Sequence, residues 1–337
     1  MKIAVVGATG YAGLEVLRLL GTHPEAEIVL ATGESNAGRR VAEHAPALAA
    51  LFPDMVYQPT ASVLDATIDA VFLALPHGHS QEYVRELHAR GVQVVDLGAD
   101  FRLRAASDYD EWYGEAHRIP DLLAHATYGL VERHREELVG ARLLAIPGCY
   151  PTATSLAMGP FVDAGVVDSG RVIVNALSGV SGAGRAPSER LHFPRLPGNA
   201  EAYGLTHHRH TIEMQRELGA TVLFTPHLIP VSRGMLVTAY APITAEISTD
   251  DALSLLRTTY TSDPCVVVTN EPPALKDAVG SNLCFVSARV DERTQTLVVL
   301  SAIDNLLKGA AGQAVQAWNV ANGFDETHGL PMTGVTP

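Results

Sequence analysis

A four-residue apolar run, Ile3 to Val6, ends at Gly7. Glycines recur at Gly10 and Gly13 as a helical pattern begins over Tyr11 to Leu20. A strand that breaks at a glycine turn and re-enters as a helix is the first half of a β-α-β unit. Such units close as parallel sheets with crossover helices. Strand-like runs follow at Ile28 to Ala31, Ala70 to Leu75, Val92 to Val95 and Leu143 to Ile146, with a helix-like stretch from Ser80 to Arg90. The alternation predicts an α/β domain with a doubly wound, Rossmann-type parallel sheet.

The pattern changes after Cys149. A helix near Thr152 is followed by strand-like runs at Val172 to Leu177, Val222 to Thr225, Leu236 to Ala241, Cys284 to Val290 and Leu297 to Ile303, without regular crossover helices. That predicts a second, α+β domain with a mixed sheet. The last strong element is a helix-like stretch from Asn305 to Val320, apolar at Leu306, Leu307, Ala310, Ala314 and Trp318. The expected division is 1–148 plus 305–337 for dinucleotide binding, and 149–304 for catalysis, substrate binding and oligomerisation. With 337 residues, 47% of them hydrophobic, the chain can fill two cores.

Lys and Arg number 24 and Asp and Glu 37, a net charge of −13. This acidity argues against nucleic acid or an anionic membrane as partner, while a local arginine cluster can still hold a small anion. No apolar run is long enough to span a bilayer, and the N-terminus enters a strand without signal-peptide architecture. The three cysteines, Cys149, Cys265 and Cys284, are widely spaced and form no C-x-x-C pair. The expectation is a cytoplasmic protein with neither a disulfide framework nor a metal site.

Gly7-Ala-Thr-Gly10-Tyr-Ala-Gly13 has the context of a phosphate loop, with a strand before it and a helix after it. Backbone N–H groups and the positive end of the helix can receive a pyrophosphate there. Gly7, Thr9, Gly10, Tyr11, Ala12 and Gly13 are the candidate contacts. Beyond the second strand, Glu34 favours a free ribose hydroxyl, whereas Ser35, Arg39 and Arg40 favour a 2′-phosphate. The signal is mixed, and the reading taken is NADP. Pro76 and His77, after the third strand, are expected on the nicotinamide side.

Ile146-Pro-Gly148-Cys149-Tyr-Pro-Thr152 puts a cysteine at a turn between a strand and a helix. The N–H groups of a helix start favour the thiolate, the nucleophilic form of cysteine, and can stabilise an oxyanion. Cys265 and Cys284, beside or within apolar runs, fit buried structural positions. The segment Thr206-His-His208-Arg209-His210 supplies groups able to give and take a proton.

These segments resemble the N-acetyl-gamma-glutamyl-phosphate reductase family. The resemblance is carried by the glycine loop, Leu73-Ala-Leu-Pro-His-Gly78, Asp100-Phe-Arg102, Pro147-Gly-Cys-Tyr-Pro-Thr-Ala153 and Ser178-Gly-Val-Ser-Gly-Ala-Gly-Arg185. It extends through His208-Arg-His210, Phe224-Thr-Pro-His-Leu228, Gly280-Ser-Asn282 and Asn305 to Gln313. It implies an NADPH-dependent step of arginine biosynthesis in which Cys149 attacks an acyl phosphate, inorganic phosphate leaves, and the thioacyl enzyme is reduced to an aldehyde. It implies His210 as the acid and base, and Arg102, Ser181, Arg185, His208 and Arg209 as substrate contacts. Ser281 and Asn282 are implied near the cofactor, and the assembly is implied to be a homodimer or homotetramer. Related reductases of lysine biosynthesis, aspartate-semialdehyde dehydrogenases and a non-enzymatic NADP sensor are the alternatives. Two positions depart from the family pattern: Gly98 where a serine is frequent, and Ile212 where a proline is frequent.

Overall fold

The computed structural model describes residues 1–335, which form two compact units. The first comprises residues 1–147 and 310–330. Its strands are β1 (Lys2–Val6), β2 (Glu27–Ala31), β3 (Ala70–Leu73), β4 (Gln93–Asp96), β5 (Ala126–Tyr128) and β6 (Leu143–Ala145). They form one sheet of order β2-β1-β3-β4-β6-β5, and every pairing is parallel. Between them run helices α1 (Tyr11–Leu20), α2 (Val41–His44), α3 (Gln81–Ala89), α4 (Ala106–Tyr113) and α5 (Val131–Leu138). Every residue of β3 and β4 is buried, as a parallel sheet covered on both faces requires. The doubly wound sheet expected from the alternation is present.

The second unit holds helices α6 (Cys149–Asp163), α7 (His210–Leu218), α8 (Thr249–Thr259) and α9 (Leu275–Ala278). Its strands are β7 (Val172–Gly179), β8 (Glu201–Ala202), β9 (Val222–Ile229), β10 (Met235–Pro242), β11 (Val266–Val268), β12 (Cys284–Asp291) and β13 (Thr296–Ile303). They form a mixed sheet of order β11-β12-β13-β10-β7-β9-β8, with β7/β9 and β11/β12 parallel and the rest antiparallel. Alternate residues of β7, β9 and β10 are buried on the side where α6, α7 and α8 pack. The opposite face carries a cross-strand row of Leu223, Ile173, Tyr240 and Val298. Ile173 is 38% exposed and Leu223 55%.

The last helix, α10 (Gly312–Ala321), belongs to the first unit. Its Trp318 is fully buried, edge-on to Phe72 and His23. His23 Nε2 is 2.9 Å from Asn319 Oδ1, and Gln313 Nε2 donates to the Gly129 carbonyl at 2.6 Å. Residues 305–309, expected with the first domain, pack with the second. Asn305 Oδ1 accepts from Gly234 N at 2.8 Å, and its Nδ2 donates to Ser181 Oγ at 2.9 Å. A π-turn, Leu307–Ala311, stands where the sequence pattern predicts continuous α-helix.

Candidate active site

The phosphate loop has the backbone a ligand needs. Gly7 adopts φ +75°, and a Cβ there would lie 2.4 Å from the Ala74 carbonyl oxygen, so only glycine fits. Gly10 caps α1 without a side-chain cap, and no acidic residue stands in the first turn. The N–H groups of that end are open to an anion. Thr9 packs against Gly33, which fixes the loop beside β2. Tyr11 is 40% exposed.

Glu34, beyond the second strand, has a partner within the same unit. Its Oε2 accepts from Thr60 N at 2.9 Å, and this hydrogen bond holds its carboxyl below the ordinary range. The acid is thus engaged within the loop, while Ser35, Arg39 and Arg40 lie exposed beside it. Arg39 donates to the Glu43 carbonyl at 2.9 Å.

The loop after β3 is tied down by a buried carboxylate. Asp100 accepts from Gly78 N at 2.7 Å and from Ser80 N at 3.0 Å, and its Oδ1 is 2.6 Å from His77 Nδ1. Burial opposes its ionisation, but the bonds from His77 and the backbone amides hold its pKa below the usual carboxylate value. Asp96, fully buried, is pushed up to about 7 by burial and then by the charge of Asp100. Ser80 Oγ donates to Asp96 Oδ1 at 2.7 Å. A Cβ on Gly98 would stand 3.0 Å from that same Oδ1 and 3.1 Å from Ser80 Oγ. Ser80 therefore supplies a hydroxyl at the position where a serine at 98 would crowd it.

Cys149 opens α6, capped by Gly148, with no acidic residue in the first turn. It is half-buried, whereas Cys265 and Cys284 are fully buried. His210 opens α7, and its imidazole lies directly over Gly148. A Cβ on Gly148 would come within 2.5 Å of His210 Nε2. The absence of a side chain at 148 is what brings the ring to the residue adjoining the thiol. Glu213, one turn along α7 and 2% exposed, accepts from Gly148 N at 2.8 Å and fastens the histidine helix to the cysteine turn. Ile212 is buried on the same helix at 5% exposure and leaves this geometry intact.

His208 Nδ1 accepts from His210 N at 3.1 Å, so the neutral ring carries its proton on Nε2. Burial pushes its pKa down to about 4, and the charge of Arg209 adds to the effect. Tyr150 and Phe224 stand edge-on to it. Tyr150 and Tyr203 share an O···O hydrogen bond of 2.8 Å, and burial raises both phenol pKa values, Tyr203 to about 12. Both phenols stay protonated at neutral pH.

The other expected residues are distributed unevenly. Arg102 donates from Nε to the Ile146 carbonyl at 2.7 Å and from Nη2 to the Leu97 carbonyl at 2.9 Å, the role of a backbone staple. Ser181 accepts from Asn305, while Arg185 and Arg209 are exposed. Ser281 and Asn282 are fully buried inside the second unit. Ser281 Oγ donates to the Ala278 carbonyl and Asn282 Nδ2 lies 3.5 Å from Cys265 Sγ. Pro76 precedes His77 in the loop that Asp100 anchors. The sequence pattern places Glu213 in the same proton-handling segment as His210 without showing its bond to Gly148, and it does not single out Tyr203. Glu213 lies three residues after His210, one helical turn away, and that spacing was the available signal. Among the described residues no cluster of side chains suits a metal ion.

Two family models match the chain: "Semialdehyde dehydrogenase, NAD binding domain" over residues 2–141 and "Semialdehyde dehydrogenase, dimerisation domain" over 149–305. The N-acetyl-gamma-glutamyl-phosphate reductase of Symbiobacterium thermophilum is 44% identical, covering 99% of this chain and 98% of its own length. That of Desulforamulus reducens is 42% identical over the full length of both. Aspartate semialdehyde dehydrogenase II from Vibrio cholerae has the same fold, with a TM-score of 0.72 and 19% identity, covering 95% of this chain and 97% of its own.

Two outcomes follow from this geometry. Gly148→Ala should turn the imidazole aside while the fold survives, because a terminal ring can rotate where backbone cannot. Alkylation of Cys149 at neutral pH should slow at least about tenfold, since a positioned base contributes roughly 10²–10⁴. An unchanged rate would contradict the placement of His210. The lowered His208 pKa means that the unfolded chain binds one more proton than the folded one between about 4 and 6.5. Stability should therefore fall as pH drops through that window, by up to about 1.4 kcal/mol per pH unit. Chemical denaturation of His208→Asn, whose Oδ1 can replace Nδ1 as acceptor, should lack that part of the slope.

Proposed function

The chain belongs to the N-acetyl-gamma-glutamyl-phosphate reductase family, and from that premise we propose that it reduces N-acetyl-gamma-glutamyl phosphate to N-acetylglutamate 5-semialdehyde with release of phosphate, using NADPH, as a step of arginine biosynthesis. The observation that carries the reading is the His210 ring seated over Gly148, beside a cysteine at the start of a helix.

Cys149 gives its proton to His210, and Sγ attacks the acyl carbon. The carbon–oxygen bond to phosphate breaks, phosphate leaves with the electron pair, and a thioester remains on Cys149. NADPH, when bound, supplies the hydride that reduces the thioester carbon. The oxyanion so formed is stabilised by the N–H groups at the start of α6. The carbon–sulfur bond then breaks, its electron pair returns to sulfur, and the His210 imidazolium reprotonates the thiolate as the aldehyde departs. Tyr150, held protonated by burial, keeps a second negative charge away from the sulfur.

The residues of the first unit fit the cofactor. Glycine at position 7 lets the loop turn tightly against the Ala74 carbonyl, and the open end of α1 supplies N–H donors. Glu34 is engaged by Thr60, and the exposed Arg39 and Arg40 suit a 2′-phosphate. No helix among the described residues is long and apolar enough to cross a membrane. A reducing cytoplasm keeps Cys149 a thiol.

Supplied with the semialdehyde, phosphate and NADP, the protein should produce reduced cofactor only when phosphate is present. Cys149→Ser should lower this turnover roughly a thousandfold and leave NADP binding unchanged. Full activity in the variant, or no phosphate dependence in the parent, would refute the reading.

The open face of the second sheet suits a homodimer or a homotetramer built on it, because the row of Leu223, Ile173, Tyr240 and Val298 is apolar and in register. Leu223→Asp combined with Ile173→Asp should shift the sedimentation coefficient to that of a monomer. An unshifted value would place the interface elsewhere.

A further inference from the structure

We propose that Arg190 binds the carboxylate at the far end of the substrate and sets specificity for it. The proposal rests on the reaction assigned above, whose substrate carries an anionic carboxylate separated from the reacting carbon by three carbons. Arg190 lies in the segment between the Ser178–Arg185 motif and the His208–His210 motif. Its guanidinium carbon lies 4.8 Å from the centroid of the Tyr203 ring. Tyr203 hydrogen-bonds Tyr150, the residue after Cys149, and both phenols lie within electrostatic reach of Cys149. The guanidinium thus sits one tyrosine ring beyond the group that adjoins the thiol.

What marks Arg190 is the lack of an anion. Among the described residues it has no ion pair and no hydrogen-bond acceptor, and its Nε is shielded from solvent. This is notable in a chain where acidic residues outnumber basic ones 37 to 24. The neighbouring carboxylate, Glu189, is bonded to Arg195 at 2.9 Å. Ser188 Oγ, two residues away, is likewise shielded and without a partner. The face of Tyr203 holds the guanidinium in place by cation–π attraction and leaves its charge unneutralised. Its edge donors remain available for a bidentate carboxylate. The other arginines serve this end less well: Arg102 is bonded to two carbonyls, and Arg185 and Arg209 are exposed.

The test runs the reaction in reverse with two aldehydes, N-acetylglutamate 5-semialdehyde and 4-acetamidobutanal, which lacks only the carboxylate. The ratio of their kcat/KM values reports carboxylate recognition. Arg190→Met keeps an apolar stem over Tyr203 and removes the charge; Arg190→Lys keeps the charge. Arg190→Met should cut kcat/KM for the semialdehyde about 10- to 100-fold, leave 4-acetamidobutanal within about twofold, and leave the KM for phosphate unchanged. Arg190→Lys should recover part of the ratio. An equal loss on both aldehydes, a retained ratio, or a raised phosphate KM with the ratio retained would each overturn the proposal. A parent enzyme with no phosphate-dependent turnover would instead overturn the assigned reaction, so the two failures are distinguishable.

Discussion

The hydrogen bond from Gly148 N to the Glu213 carboxylate is the constraint on which the candidate site depends. A buried amide without an acceptor costs about 1–3 kcal/mol, and a buried carboxylate without donors costs more. The amide finds its acceptor in Glu213, and the carboxylate takes one of its donors from Gly148. Because Glu213 lies one turn from His210, and Gly148 immediately precedes Cys149, satisfying this pair also fixes the distance between thiol and imidazole. Glycine at 148 is required by the ring that lies over it; the N–H it donates is one that any residue but proline would supply. The reactive pair is thus set by the packing of α6 on α7 rather than by the conformations of two surface side chains.

Local signals made the first unit legible. Gly7, Gly10 and Gly13 lie within one loop, and their spacing between an apolar run and a helical pattern carries the geometry directly. The thiol was legible for the same reason, since Pro147, Gly148 and Cys149 are consecutive. What the sequence hid is what comes together from a distance. Glu213 and Gly148 are 65 residues apart. Arg102 reads as an anion ligand by residue type, yet the carbonyls of Leu97 and Ile146 fall within its reach only once the chain has turned. Ser281 and Asn282 follow Gly280 as adjacent polar residues, but the turn that carries them is folded inward. The short strands β5 and β8, of three and two residues, are too brief to show a period at all. The π-turn before α10 has the same apolar spacing as an α-helix over so few residues, and its identity rests on Gly309 N reaching back five residues to the Asp304 carbonyl.

An acidic protein that handles anions must keep its own carboxylates out of the way, and several side chains here do so by different means. Glu34 is taken up by the Thr60 amide. Asp96, pushed up to about 7 by burial and by Asp100, is partly protonated near neutral pH. Asp100 remains charged but is surrounded by His77 and two backbone amides. Each lowers the negative potential around the loops after β2 and β3.

The helix termini show the same economy of charge. Among the described residues, seven of the ten α-helices carry an acidic residue in the first turn, where it stabilises the positive end of the dipole. The surface helix α8 has a complete capping box between Ser248 and Asp251. Helices α1, α6 and α10 lack such a residue. Helix α10 continues from the π-turn, so its first N–H groups have carbonyls behind them. Helices α1 and α6 have no such preceding turn, and each is capped by a glycine that contributes no side-chain acceptor. A glycine cap costs only a few tenths of a kcal/mol relative to a good one. What sets these two starts apart is a glycine cap together with a first turn free of acid, and they are the phosphate loop and the cysteine turn, the positions where the proposed reaction brings a pyrophosphate and a thiolate. An internal carboxylate at either would stabilise the resting fold and compete with the very anion the site is to receive.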